Sequence, residues 1–400
     1  MVGTRPEAVK LAPVAAAMSS AGRLRPLLVA TGQHPVMVEQ SLAEFGLCPD
    51  VTLSLDRVSG RQAELTAQLV AGLDPLFDQR HPAAVVVQGD TTTTLVSALT
   101  GYWHQVPVVH LEAGLRSHDL ASPFPEEGNR RMVGQIASLH LAPTWAAADN
   151  LVSEAVRARS VLTIGNTVVD AVLDIAGRTQ DFEDTCLRDV EAGVRAGRSR
   201  LVLVTAHRRE SWGEPLERVL RAVAELVLNH PDVEVVLPAH PNPAVRAQVI
   251  DVLGRLARVT ITEPLPYGQL ARLLSMATLV LSDSGGIQEE APSFGVPVLV
   301  LREVTERTEA VLAGCARLVG TDRVEIVKVA TELLRDDATR RAMADIANPF
   351  GDGMAAGRTE QAVAWLLGLQ QQRPTEFHSA GHAGRTGGSS WVGSRTDQDG

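Results

Sequence analysis

Apolar positions fall in short unbroken runs, and the stretches between them carry a helical rhythm. One series of runs is LLVA (27–30), AAVVVQ (83–88), VPVVHL (106–111), LHLA (139–142) and VLTI (161–164). A second is LVLVT (201–205), VEVVL (233–237), RVTIT (258–262), TLVLS (278–282), PVLVL (297–301) and RLV (317–319). Continuous rather than alternating apolar character marks strands covered on both faces. The spacing predicts helices over 91–104, 214–229 and 322–335. Strand–helix alternation of this kind implies parallel sheets with crossover helices. The expected fold class is α/β: two doubly wound, Rossmann-like domains with a cleft between them. Open α/β sheets bind ligands beyond the carboxyl ends of their strands, so the cleft is where chemistry is expected.

The first domain is expected over 1–176, a polar linker region over 177–200, and the second domain over 201–353. A helix over 354–369 is placed to pack back across the first domain. Residues 373–400 are Gly- and Ser-rich without apolar period, so disorder is expected there. At the other end, GTRPEAVK reads as a loop entering a helix, with only Met1 and Val2 ahead of it. A doubly wound domain would place a central strand at that point. The expectation is therefore a truncated first strand, a start set too late, and a chain that folds incompletely or expresses poorly. Each large apolar side chain lost from a core costs roughly 2–5 kcal/mol against a total stability of about 5–15.

Four hundred residues suit two domains, and 45% hydrophobic with 21% charged residues is ordinary for a globular chain. The net charge of −10 argues against broad binding to nucleic acid or anionic membranes, while leaving room for one local basic pocket. Cys48, Cys186 and Cys315 are isolated, which argues against a zinc site and fits a reducing compartment. No apolar run reaches the ~20 residues of a membrane span, and no signal peptide is evident, so a cytoplasmic protein is expected. No GxGxxG stands in a strand–turn–helix setting, so NAD is not inferred.

Five constellations sit where a strand ends or a helix begins. In GTRPEAVK (3–10), Arg5 and Lys10 lie near a helix N-terminus, a ready anion site, with a plain helix cap bearing solvated bases as the lesser alternative. In QGDTTTT (88–94), Gly89 permits a tight turn, Asp90 or Thr91 caps the next helix, and Asp90 is placed for proton transfer. The stretch HLEAGLRSHDLASPFPEEGNRR (110–131) sets His110 and Glu112 at a strand end, then Glu126 and Glu127 at a helix start behind two prolines. Carboxylates buried near one another can work as acids or bases, whereas a solvated loop of Arg–Glu pairs is the bland alternative. TAHRRESW (205–212) brings His207, Arg208 and Arg209 out of a strand, partners for a diphosphate, and His240–Pro241 is a weaker echo. In LSDSGGIQEEAPSFGVPVLVL (281–301), Ser284, Gly285 and Gly286 leave backbone amides free at a helix start, and Glu290 lies within reach of ribose hydroxyls. Basic groups and amides for a diphosphate, with carboxylates facing whatever it carries, describe a nucleoside-diphosphate sugar.

Taken in order, GTRPEAVKLAPV, GDTTTTLVSAL, HLEAGLRS, SPFPEEGNRR, GNTVVDAV, TAHRRES and DSGGIQEEAPSFGVPVLVLREVTERTEAV resemble the bacterial non-hydrolysing UDP-N-acetylglucosamine 2-epimerases, from about residue 2 to 369. SGGIQEEAPSFGVPV is also similar to the nucleotide-binding element of GT-B glycosyltransferases, whose fold that family shares. The resemblance implies reversible conversion of UDP-GlcNAc to UDP-ManNAc by inversion at C2, an early step toward cell-surface polysaccharide. UDP is eliminated to leave 2-acetamidoglucal, and re-adds after protonation of the opposite face. It implies Asp90, Glu112 and Glu126 as acid/base carboxylates, base and acid left unassigned, and His207 beside the diphosphate. Arg5, Lys10, Ser284, Gly285 and Gly286 match UDP contacts, Glu290 the ribose contact and Arg307 a further substrate-side base. No metal or cofactor is implied, and the family is usually homodimeric. Many members bind a second UDP-GlcNAc as an activator; Gln33, His34, Arg208, Glu210 and His240 match those positions. Pro35 and Val36 replace a basic and a polar residue found there in many members, so weakened or absent activation is expected. Rival readings are a hydrolysing epimerase, an epimerase of a modified UDP-sugar, a GT-B glycosyltransferase, and a nucleotide-sugar-binding regulator without turnover.

Overall fold

The computed structural model describes residues 1–178, 181–206, 208 and 211–379. Twelve strands occur among them: β1 (Val29–Ala30), β2 (Val51–Thr52), β3 (Val85–Gln88), β4 (Val108–Leu111), β5 (Leu139–Ala142), β6 (Val161–Thr163), β7 (Arg200–Thr205), β8 (Val233–Pro238), β9 (Val259–Thr262), β10 (Ala277–Ser282), β11 (Val298–Val300) and β12 (Ala316–Leu318). Every pairing is parallel. The apolar runs locate these strands to within a residue or two, except β2, whose two residues in VTL are only half-buried or exposed and give no apolar run.

The second half forms one sheet in the order β9-β8-β7-β10-β11-β12. Counted within that half this is 3-2-1-4-5-6, the Rossmann order, with its switch point between β7 and β10. The first half holds β1-β2 and β3-β4-β5-β6 as separate sheets, and Val2 joins them. Val2 bridges Ala30 in parallel; its N–H donates to Val29 O at 2.9 Å, and Thr31 N–H donates to Val2 O at 2.8 Å. On the other side the Met1 amine donates to Val86 O at 3.1 Å. Across the first half the order is thus β2-β1-Val2-β3-β4-β5-β6, with Val2 at the position of strand 1. The fold is α/β with two Rossmann-like parts.

Behind Met1, where a strand at that position would continue between β1 and β3, lies a cavity of about 570 Å³. Met1, Leu11, Val14, Met18, Leu28 and Val86 are among its lining residues. The helices on either side are well formed. Arg5–Ala21 begins with a capping box, in which Thr4 and Glu7 satisfy each other's end of the first turn.

Two segments differ from the sequence expectation. Within 177–200, Thr185–Arg195 is a helix that buries Leu187 and Val190 in the core; their three-residue spacing is diluted by seven charged residues between 181 and 195. Residues 373–379, expected to be disordered with the rest of the tail, are instead laid along β6. Phe377 is buried and its N–H donates to Thr163 O at 2.8 Å, while the Glu376 carboxylate accepts from Thr163 N at 2.9 Å. The open edge of β6 supplies those partners, which composition does not reveal. The remainder of that tail, 380–400, lies outside the described residues.

The helix Ala355–Leu366 returns to the first half. The Asp170 carboxylate accepts from Ala355 N and Ala356 N at 3.2 and 2.8 Å, and Glu360 pairs with Arg23. Glu44, at the end of the helix Pro35–Glu44, accepts from Tyr267 N and Gly268 N at 3.2 and 2.6 Å. These ties hold the returning helix and the second half against the first. No helix among the described residues is long and apolar enough to cross a membrane.

Candidate active site

The site grows from the two switch points. In the first half Gly3 follows Val2, and the helix Arg5–Ala21 starts at Arg5. Glu7 is buried and binds the two adjoining turns together. Its Oε2 accepts from Gly3 N, Thr4 N and Thr4 Oγ1 at 2.7–3.0 Å, and its Oε1 accepts from Thr91 Oγ1 at 2.6 Å and Thr94 Oγ1 at 3.1 Å. Burial raises the Glu7 pKa against the pull of those donors.

The turn after β3 resolves the choice between Asp90 and Thr91. Thr91 caps the helix Thr92–Trp103 by accepting from Thr94 N at 3.1 Å. Asp90 is thereby left to pair with Arg130, and its carbonyl accepts from Asn129 Nδ2 at 2.8 Å. Gly89 adopts φ +73°, a left-handed turn that glycine tolerates without strain. Its carbonyl accepts from His110 Nε2 at 2.7 Å. Burial drives the His110 pKa down to about 4, so the ring is neutral at pH 7 and serves as scaffold.

Glu112 follows β4 with φ +60°, uncommon for a side-chain-bearing residue and a mark of positions held for function. Its carboxylate receives Lys10 Nζ at 2.7 Å on each oxygen and also accepts from Gln88 Nε2. Burial raises its pKa, Lys10 pulls it back, and the nearby Glu289 and Asp90 charges raise it again; the net direction is up. For Lys10, burial works downward, but Glu112 and Glu289 overcome it and hold the ammonium charged.

Glu126 opens the helix Glu126–Ile136, half-buried, with no hydrogen bond among the described residues. Its neighbour Glu127 is committed to structure: fully buried, it accepts from Ser117 N at 3.0 Å and pairs with Arg130 and Arg131. Arg130, one turn after Glu126, carries the pair to Asp90.

In the second half, β10 ends at Ser282, whose Oγ lies 2.6 Å from Thr205 Oγ1 at the end of β7. Asp283 is wholly buried; its Oδ2 accepts from Arg208 N at 2.9 Å, which fixes the β7 turn against the β10 turn. Ser284 then leads into the helix Gly285–Glu290. Arg307 lies over Gly285 so closely that a Cβ there would stand 3.0 Å from the guanidinium carbon and would press on it. Arg307 Nε donates to Glu289 Oε1 at 2.9 Å. Glu289 Oε2 lies 3.9 Å from Lys10 Nζ and accepts from Asn166 Nδ2 at 3.2 Å.

Glu290 is buried beside Tyr267, whose hydroxyl stands 3.4 Å from Oε1. Burial first, then the Glu289 charge, lifts its pKa to about 8 despite Lys10 and Arg5 nearby. It is therefore largely protonated at pH 7, able to donate as well as accept. Arg5 makes no hydrogen bond or ion pair among the described residues, so its charge is available.

The structure thus gathers Lys10, Glu112, Glu290, Arg307 and the Ser284–Gly286 turn into one cluster, with Arg5 beside it and Asp90 adjoining Glu112. His207 and Glu210 lie outside the described residues. Of the other activator-matching positions, Gln33 Oε1 accepts from Thr93 Oγ1 at 2.9 Å and His34 is exposed; His240 meets Trp212 edge-on at 5.3 Å. Sequence reasoning did not single out Glu289 or Arg130 and read Glu7 only as a helix-start residue. No motif sets Glu289 apart from its neighbour Glu290, which the sequence places near the ribose, and the Thr4–Glu7 capping-box spacing was the one available signal for Glu7. Among the described residues no group of three or more His, Cys, Asp or Glu side chains could hold a metal ion.

Comparison with known proteins follows the same lines. A family model described as UDP-N-acetylglucosamine 2-epimerase matches residues 16–364. The Escherichia coli K12 UDP-N-acetylglucosamine 2-epimerase is 42% identical over 364 residues, covering 90% of this chain and 96% of that protein. An S. aureus MnaA–UDP co-structure superposes with a TM-score of 0.83 at 38% identity, covering 94% of this chain and 98% of that one. The Neisseria meningitidis UDP-GlcNAc 2-epimerase bound to UDP-GlcNAc gives a TM-score of 0.79 at 37% identity, with coverage of 90% and 97%. With the family model spanning most of the chain and relatives this close along nearly their whole lengths, the chain belongs to the UDP-N-acetylglucosamine 2-epimerase family.

Proposed function

We propose that this chain interconverts UDP-GlcNAc and UDP-ManNAc. One observation carries the reading. Lys10 bonds the Glu112 carboxylate at 2.7 Å while facing Glu289, which holds Arg307 over the Ser284–Gly286 turn. A group able to move a proton therefore lies one side chain away from a cationic, amide-bearing pocket. Arg5, Lys10, Arg307 and the Ser284, Gly285 and Gly286 amides hold the diphosphate, and Glu290 the ribose. His207, outside the described residues, is assigned to the diphosphate by family likeness alone.

The C2 hydrogen is weakly acidic, because no carbonyl carbon adjoins it. As the C1–O bond to UDP breaks, C1 becomes electron-poor, the C2–H electrons form the C1=C2 bond, and a carboxylate takes the proton. A second carboxyl protonates the opposite face of C2, and the UDP oxygen closes on C1. The C2 proton leaves on one carboxylate and a different proton arrives from the other, and both groups reset by exchange with solvent, so neither water nor cofactor is consumed. Stabilising departing UDP and stationing carboxylates on both faces are the two requirements. Asp90, Glu112 and Glu126 fill the second, and burial, by raising the Glu112 pKa, makes that carboxylate the readier to take up a proton. A homodimer is proposed on the family likeness alone. Val36 is 63% exposed and offers no hydrogen bond to an activator, which supports a reverse reaction free of one.

The test is a proton NMR assay of the purified protein with each UDP-sugar alone. UDP-GlcNAc and UDP-ManNAc are expected to interconvert from either side, with UDP-ManNAc converted in the absence of added UDP-GlcNAc. Accumulation of free ManNAc with UDP would instead mark a hydrolysing enzyme.

A further inference from the structure

Glu289 is the carboxylate on which both halves meet. Its side chain is 4% exposed. Arg307 from the second half reaches Oε1 at 2.9 Å, while Asn166 and Lys10 from the first stand 3.2 and 3.9 Å from Oε2. The opposite side of the Lys10 ammonium is on Glu112. Building on the epimerase reading, we propose that Glu289 is a positioning residue: it fixes the spacing of Lys10 and Arg307 across the two halves and, through Lys10, sets the charge that the Glu112 carboxylate feels.

The residue is pinned at both ends. Its carbonyl accepts from Asn348 Nδ2 at 2.8 Å, and Asn166, the neutral donor to its side chain, is itself held by donating its N–H to Phe350 O at 2.7 Å. A glutamine at 289 would keep the carbonyl oxygen, an acceptor for Arg307 or Asn166. Only a negative charge is felt by Lys10, Glu112 and Glu290. The charge is also placed at a cost, since Glu290 adjoins it on the same turn, and like charges so close oppose each other's ionisation. A purely structural bond to Arg307 would not need it.

The groups facing Glu112 are Lys10 from the first helix, Asp90 and Gln88 from the β3 turn, and Glu289. Those facing Glu289 are Lys10, Arg307, Glu112 and Glu290, with Glu306 behind Arg307. The Glu289 charge raises the proton affinity of both Glu112 and Glu290. Removing it lowers both, and the two carboxyls shift together as a coupled set. Whichever limb of the pH–rate profile Glu112 governs therefore moves to lower pH.

The experiment compares wild type with Glu289→Gln by kcat/KM against pH, by UDP affinity in calorimetry and by thermal melting. The expected result is a downward shift of the limb by roughly one pH unit, with KM raised roughly tenfold and kcat at the optimum changed less. An unmoved limb in a folded Glu289→Gln protein overturns the proposal. Should that variant fail to fold, Glu289→Asp, which withdraws the charge by one methylene, is expected to shift the limb the same way by less. Failure of both to fold makes Glu289 structural and also overturns it. If wild type shows no epimerase activity, the function reading fails, and the pH dependence of UDP affinity in the two proteins still decides the role of Glu289.

Discussion

Glu112→Gln is expected to lower kcat for epimerisation by ~10²–10⁴, the usual contribution of a positioned acid or base. Its KM and UDP affinity are expected to change little. The amide is isosteric and can still accept one bond from Lys10, but it cannot take a proton. Lys10 retains Glu289 as a second acidic neighbour, so the buried ammonium is not stranded. Asp90→Asn is expected to lower kcat in the same manner. Glu127→Gln provides the contrast. That carboxylate is fully buried and serves Ser117, Arg130 and Arg131, so its loss is expected in the melting temperature before it reaches the chemistry. Initial rates and melts on the three variants check this. A Glu112→Gln enzyme within threefold of wild type would remove Glu112 from the proton-transfer step.

The second large effect concerns the cavity behind Met1. Five apolar, β-prone residues fused in frame ahead of Met1 are expected to enter it as a strand between β1 and β3. The lining is mostly apolar, with Arg23, Arg25, Asp50 and Arg80 among it, and Val2 already pairs in parallel with β1 while Met1 bonds to β3. Two large side chains buried there, at ~1.5–3 kcal/mol each, are a substantial fraction of a total near 5–15. The expected outcome is a higher thermal midpoint for the apolar extension and none for a Gly/Ser extension of equal length. A pH effect accompanies it. Burial lowers the Met1 amine pKa from 8.0 to about 6, so the unfolded chain binds the proton more readily than the folded one. Stability then rises as pH rises from about 6 to 8, and is lost in the reverse direction. A peptide bond in place of the amine is expected to abolish that slope. Equal melts for apolar and polar extensions would show that the cavity does not take a strand.

Much of this architecture is legible in the residues because a doubly wound fold writes itself in continuous apolar runs. The helix Glu214–Asn229 matches its sequence expectation end for end, since Gly213 and Pro215 frame its start and its apolar period is strong. What escaped was decided in three dimensions. β2 is two residues long and half-covered. The helix at 185–195 hides its apolar stripe among charges, and the ordering of 373–379 depends on the open edge of β6. At the candidate site, the motifs point to Lys10, Glu112 and Arg307 individually. That one carboxylate, Glu289, stands between Lys10 and Arg307 follows from the facing of the halves, which no local spacing encodes. The division of labour between Glu126 and Glu127 is of the same kind. Adjacent residues of one type differ only in which side of a helix start meets Ser117 and Arg131.

The central claim is proton exchange at the sugar's second carbon within the cluster of Lys10, Glu112, Glu289 and Arg307. Wild-type protein incubated with UDP-GlcNAc in deuterium oxide tests it most directly. Deuterium is expected at C2 of UDP-ManNAc and, as the reaction reverses, at C2 of the recovered UDP-GlcNAc, with incorporation suppressed in Glu112→Gln. UDP-ManNAc formed with protium retained at C2 would contradict the account.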